Sequence, residues 1–150
     1  MDDTEFMLHA FKGNRAAVSY VLMVAFVADV WDNLIDQDLP VTDESINKAF
    51  WTLAIDIPMN EFYQNYASVL VPVMSTGIMN WLLATKMEKD TTDPRSREIA
   101  HVIRYSIADI TLLAAAICGG LEWAQEVGVE LRMRSQRSNM CEYVKSLRAS

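Results

Sequence analysis

The feature that most restricts how this chain can fold is an uncharged run from Phe62 to Thr85. A helix that is apolar on all sides is found either in a protein core or in a membrane. Buried amides and hydroxyls cost free energy in lipid unless they find partners, and this run contains several. They are Gln64, Asn65, Ser68, Ser75, Thr76 and Asn80. We therefore expect a central, buried helix of a soluble protein, with a small membrane protein as the lesser alternative.

Two other apolar runs, Ala16–Ala28 and Ile110–Leu121, are shorter than the roughly 20 residues that a spanning helix needs. Each is followed directly by an acidic residue. The N-terminus is acidic where a secretory signal peptide needs basic residues. A membrane location is therefore not expected, and we predict a cytoplasmic protein.

Composition restricts the fold class further. Hydrophobic residues make up 51% of the 150, with only 5 glycines and 4 prolines, which argues against a turn-rich sandwich or barrel. Two cysteines, Cys118 and Cys141, cannot form a disulfide framework or a four-thiolate zinc site. We predict an all-α protein in which residues 1–150 form a single compact helical bundle.

Capping residues and helix breakers place the first three long helices. The first is expected from Arg15 to about Gln37, and the second follows an N-cap at Thr42 and ends near Pro58. The third is expected from about Asn60 to Glu88, with a kink at Pro72. In the second helix the apolar spacing predicts four inward side chains, Ile46, Phe50, Leu53 and Ala54.

The C-terminal part is predicted to contain two more helices. Asp93 and Pro94 provide an N-cap followed by proline at the first helical position, and this helix is expected to continue to Cys118. Glycines at 119 and 120 end it. A last helical stretch begins near Leu121, with an interruption expected at Gly128. With a short leading segment, this makes a bundle of five or six helices.

The most specific chemical feature is an aspartate strip formed by Asp29, Asp32 and Asp36. At helical spacing these carboxylates fall within roughly 60° of one another. Three like charges repel one another, and this cost is tolerable if the strip faces water or if a cation or a basic group neutralises it. Mg²⁺ takes one or two carboxylates together with phosphates and waters. The strip is therefore either a solvated acidic face or a magnesium site.

The residues from Asp32 to Asp36, with the sequence DNLID, resemble the first aspartate-rich motif of the all-α isoprenoid synthases. That motif is written DDxxD, and here Asn33 stands in the place of its second acid. The resemblance implies that Asp32 and Asp36 bind magnesium, which in that family holds the diphosphate of an allylic substrate. It covers this short motif and not the whole chain.

A second polar group, His101, Tyr105 and Asp109, follows helical spacing, with Arg97 and Arg104 nearby. A histidine and a carboxylate one or two turns apart can bind a metal or transfer a proton, although an ordinary polar helix face has the same pattern. No G-x-S-x-G, P-loop or G-x-G-x-x-G sequence occurs. Catalytic residues therefore remain unknown, and whether the chain is an enzyme stays open.

Charge is distributed unevenly. The chain has 13 basic and 20 acidic residues and a net charge of -7, which disfavours nucleic acid as a partner. Nine acids against two basic residues lie in positions 1–44, whereas five basic residues against one acid lie in positions 131–150. The apolar excess and these unlike ends predict a non-catalytic interaction or structural module that self-associates or binds a protein. A magnesium-dependent diphosphate-binding protein is the alternative.

Overall fold

The computed structural model describes residues 1–37, 39–90 and 92–136, and within these ranges the regular structure is entirely helical. The all-α prediction is confirmed. Three residues of the predicted basic end and one of the two cysteines lie outside the described residues. They are Arg137, Lys145, Arg148 and Cys141. The helices divide into two compact units with a boundary between Ser68 and Val69. That residues 1–150 form a single domain stays a prediction.

The described residues form seven helical stretches, more than the five or six expected, when α3, the π-helical turn and α4, which follow one another without a break, are counted as one. Their bounds are α1 Asp3–Ala10, α2 Arg15–Asp36, α3 Asp43–Trp51, a π-helical turn Thr52–Asp56 that leads directly into α4 Ile57–Met59, α5 Glu61–Asp90, α6 Pro94–Ile103, α7 Ile107–Gly119 and α8 Leu121–Ser135. The extra stretch arises because the helix expected from residue 94 to 118 is divided at residues 104–106, where α6 and α7 meet at a bend of 42°.

Caps account for most of the helix starts. Asp2 and Glu5 form a reciprocal capping box on α1, and Asn14 accepts a hydrogen bond from the Ala17 N–H at the start of α2. Thr42 caps α3, as its sequence predicts. Asn60 accepts from the Tyr63 N–H at 2.9 Å in the first turn of α5.

The first unit has an aromatic core. Tyr20 of α2 is fully buried, and its ring centroid lies 5.9 Å from those of both Phe62 and Tyr63 of α5. The Asn60 side-chain amide donates to the Ala16 carbonyl at 3.0 Å and so ties the start of α5 to the start of α2. The start of α5 is therefore held against the N-terminal part of α2 by both packing and a hydrogen bond.

In the second unit, α7 and α8 form a closely packed hairpin. Gly120, with φ of +91°, turns the chain between them, and a conformation of this kind favours glycine. Gly128 does not interrupt α8 as expected. A Cβ at this position would lie 3.1 Å from Leu112, so glycine allows α8 to approach α7 closely.

Helix α5 differs from its prediction in two respects. Its non-helical residue is Tyr66, with φ of -128° and ψ of 19°, whereas Pro72 lies within the helix. The helix is also not buried on all sides. Leu70, Trp81 and Ala84 are buried on one side, and large apolar side chains on the other side are exposed. The prediction of a wholly buried central helix is therefore wrong.

Two helices are long and apolar enough to cross a bilayer. They are α2 and α5 (residues 61–89), each with a mean hydropathy of 1.5 over its most apolar window, of which 22% and 17% is buried. The bent pair α6 and α7 would make a third span if it is counted as one. Length and composition define these candidates, and α2 qualifies because it extends well past its uncharged run.

Candidate functional site

The aspartate strip lies on the C-terminal half of α2. Gln37 ends this helix in the left-handed conformation, with φ of 57°, and its N–H donates to the Asn33 carbonyl at 2.9 Å. Asp29 and Asp36 are exposed and Asp32 is partly buried. The three carboxylates therefore share one helix, as their spacing predicts.

The aspartate strip supplies carboxylate ligands from a single helix, α2. In the described ranges, no three His, Cys, Asp or Glu side chains are grouped closely enough to hold a metal ion. Mg²⁺ keeps several waters and uses one or two carboxylates when a phosphate supplies the remaining ligands. Asp32 and Asp36, one turn apart, are the pair that suits such an ion. The magnesium assignment of Asp29, Asp32 and Asp36 stays a prediction.

The second polar group is not assembled into one site. His101 is buried in α6 against Tyr105, with ring centroids 5.8 Å apart. Asp109 lies on α7, beyond the bend, and pairs with Arg132 of α8 at 2.8 Å. His101 and Asp109 therefore have separate partners, and the bend between α6 and α7 is the reason that one continuous helix face does not form.

Arg104 has a structural role at this bend. Its guanidinium makes a two-pronged ion pair with Glu88 of α5, at 2.6 and 2.8 Å, and the two side chains are only 15% and 12% exposed. The same guanidinium donates to the Thr85 hydroxyl and lies 5.3 Å from the centroid of the Trp81 ring. These contacts hold the end of α5 against the α6–α7 junction.

Helix α5 carries an exposed apolar surface that we call the α5 face. It consists of exposed side chains of the uncharged run, each 44–59% exposed: Val69, Val71, Ile78, Met79, Leu82 and Leu83. Two hydroxyls of the same face, Ser75 and Thr76, donate to the Pro72 carbonyl at 2.8 and 3.0 Å. The face therefore presents apolar groups and internally bonded hydroxyls, without a charge.

Helix α3 has its apolar side turned outward, which reverses the prediction. Ile46, Phe50 and Leu53 are 37%, 75% and 50% exposed, and Ala54 is exposed too, whereas Ala49 is buried. We call the exposed side chains Ile46 and Phe50 of α3, together with Leu53 of the adjoining π-helical turn, the α3 face. Hydrophobic spacing shows which side of a helix is apolar, and it does not show whether the same chain covers that side.

Exposed apolar side chains also alternate with charges on α8. Val129 and Met133 are 74% and 70% exposed, and between them Glu130 pairs with Arg134 at 3.0 Å. A mixture of large apolar groups and charged groups is typical of a protein interface with a polar rim. The uncovered apolar surface is therefore not confined to α5.

Comparison with protein families, with characterised proteins and with solved structures finds no match for this chain. Its function must therefore be inferred from its own side chains. Sequence reasoning identified the aspartate strip and missed the outward α3 face. The exposed charges of α3, at Asp43, Glu44 and Lys48, do not indicate that Phe50 is exposed. The same charges would be found on the solvent side of a helix whose apolar side is buried.

Proposed function

We propose that this chain is a non-catalytic interaction protein that assembles with further copies of itself through exposed apolar helix faces. The observation that carries the proposal is the α5 face, where one helix exposes six half-exposed apolar side chains in a run without charge. Single exposed apolar residues are ordinary on a soluble monomer, whereas a contiguous apolar patch marks an interaction surface.

The α3 face supports the same function. Burying Ala49 and exposing Phe50 and Leu53 lowers the stability of an isolated chain relative to the opposite orientation, because burial of a Phe or Leu side chain contributes about 1.5–3 kcal/mol. This orientation becomes favourable when a partner covers the exposed side. An assembling protein therefore accounts for an amphipathic helix that exposes its apolar side.

A protein partner accounts for more of the exposed surface than lipid does. The lengths and hydropathy of α2 and α5 favour lipid as the alternative environment. However, the apolar groups of α3 and α8 are interspersed with charges such as Lys48 and Glu130, which lipid does not accommodate and a polar interface rim does. Among protein partners, a second copy requires no further component, and closed homo-oligomers are the most common assemblies.

Fractionation followed by light scattering tests the proposal. We expect the full-length protein to purify without detergent and to scatter as a dimer or larger at micromolar concentration, with dissociation on dilution. Recovery only in the membrane fraction would favour lipid and contradict the proposal. A soluble monomer at every concentration tested would contradict it as well.

A further inference from the structure

A groove of about 530 Å³ lies in the first unit, between α1, α2 and the helical stretch from α3 to the π-helical turn. Pockets for small molecules commonly have volumes of about 300–1,000 Å³. π-helical turns are rare and are frequently found at functional sites. Here the turn contributes Thr52 and Asp56, at its two ends, to the groove lining.

The middle of the groove is apolar and runs along α2. Leu22, Met23 and Phe26 line it from α2, and Leu8 lines it from α1. The Lys48 ammonium lies 5.1 Å from the centroid of the Phe26 ring, whereas Asn60 bonds to the Ala16 carbonyl. The two long walls therefore run antiparallel, with Lys48 at the Phe26 end of the groove and Asp56 towards the start of α2.

The charges of the groove are unequal at its two ends. The Lys48 ammonium makes no hydrogen bond or ion pair with the described residues and lies against the Phe26 ring. Towards the start of α2, Asp56 accepts a hydrogen bond from the Trp51 indole at 3.2 Å, and Arg15 also lines the groove. Among the charged residues that line the groove, Lys48 lies at the Phe26 end and Arg15 and Asp56 lie towards the start of α2. The lining charge at the Phe26 end is therefore an ammonium group that has donors to spare.

We propose that this groove binds a small amphiphilic anion, an apolar molecule with one carboxylate. The carboxylate would accept hydrogen bonds from Lys48, and the apolar body would lie over Leu22 and Met23. Charge complementarity selects this class, because a cationic amphiphile would place its charge against Lys48. The π-helical turn supports the site by bringing Thr52 and Asp56 to the groove lining.

Calorimetric titration with decanoate, below its micellar concentration, tests the proposal. We expect binding of one decanoate per chain, at least tenfold weaker binding of decyltrimethylammonium, and at least a tenfold loss of decanoate affinity in Lys48→Gln. Lys86→Gln removes an exposed lysine of α5, outside the groove, and should bind decanoate as the wild type does. Ile78→Lys with Leu82→Lys should also leave decanoate binding unchanged, which separates the groove from the α5 face.

A groove-filling variant gives an independent measurement. Ser19 is exposed and lines the groove, so Ser19→Phe should keep the helical circular dichroism spectrum and melting temperature while abolishing decanoate binding. The proposal is overturned if millimolar decanoate gives no heat with the wild type. Equal binding of the two amphiphiles, or unchanged binding in either Lys48→Gln or Ser19→Phe, would overturn it as well.

Discussion

At the scale of single residues, Tyr20 shows how the core of the first unit tolerates an unpaired polar group. Its hydroxyl is buried and has no hydrogen-bond partner among the described residues. Burial, with a smaller effect of the nearby Tyr63, raises the pKa of Tyr20 well above its ordinary value of 10.0. The ring contributes apolar packing against Phe62, whereas the hydroxyl costs free energy because it leaves water without compensation.

Tyr20→Phe should therefore keep the packing and raise the free energy of unfolding by about 1 kcal/mol, measured by urea unfolding at pH 7.

The same variant should change how stability depends on pH. Because the pKa of Tyr20 is raised in the folded protein, the unfolded chain releases this proton first as pH rises. Stability contributed by the neutral form is present below pH 10 and falls as pH rises through the alkaline range. This part of the alkaline loss should be smaller in Tyr20→Phe. Tyr66→Phe, at an exposed position, should change neither quantity, and a destabilised Tyr20→Phe would show that the hydroxyl has a partner.

The aspartate strip gives a second prediction at this scale. If Asp32 and Asp36 bind magnesium, calorimetric titration of the wild type with Mg²⁺ and inorganic diphosphate should release heat, and Asp32→Asn with Asp36→Asn should abolish that heat. The double variant should be equally or slightly more stable without metal, because like charges one turn apart destabilise a helix by a few tenths of a kcal/mol. Absence of heat with the wild type at millimolar ligand would identify the strip as a solvated acidic face.

At the scale of helices, α5 combines a buried and an exposed side within one uncharged run. Leu70 is fully buried and its neighbour Val71 is 44% exposed. The sequence could not distinguish these positions, because both are apolar and no charge marks the outward side. Burial in α5 depends on where its neighbouring helices end, which hydrophobic spacing does not specify.

Leu70→Asp and Val71→Asp form a matched pair that tests this assignment. The Leu70 variant should lose its cooperative thermal transition, because an unpaired charge in a packed interior costs several kcal/mol. The Val71 variant should keep its helical circular dichroism spectrum and a cooperative transition, measured in the same buffer. Similar melting behaviour of the two variants would show that α5 is buried, or exposed, on both sides.

Helix boundaries were more predictable than helix faces. The start of α2, the N-cap of α3, the Pro94 start of α6 and the glycine turn after α7 all follow from local chemistry, and the structure confirms them. The sequence does not predict the kink at Tyr66 or the π-helical turn. Neither the kinked residue nor the turn, with the sequence TLAID, contains a proline or a glycine. The reversed α3 face was missed because it depends on contacts between helices.

At the scale of the whole molecule, the described residues expose many large apolar side chains. The α3 face and the α5 face belong to different units, and each is uncovered in the described residues. The sequence predicted the apolar excess and its use in an assembly, whereas it placed the α5 run inside the chain. Self-association assigns that excess to an interface between copies.

Light scattering of the wild type and one double variant across a concentration series tests this central claim most directly. The wild type should have a molar mass that is a multiple of 17.0 kDa at micromolar concentration. Ile78→Lys with Leu82→Lys places two charges on the α5 face and should yield a folded protein of 17.0 kDa, because unpaired charges in an interface are costly. Gln125→Lys, at an exposed polar position of α8, should scatter as the wild type does. A wild type of 17.0 kDa at every concentration, or a double variant that assembles like the wild type, would contradict the account.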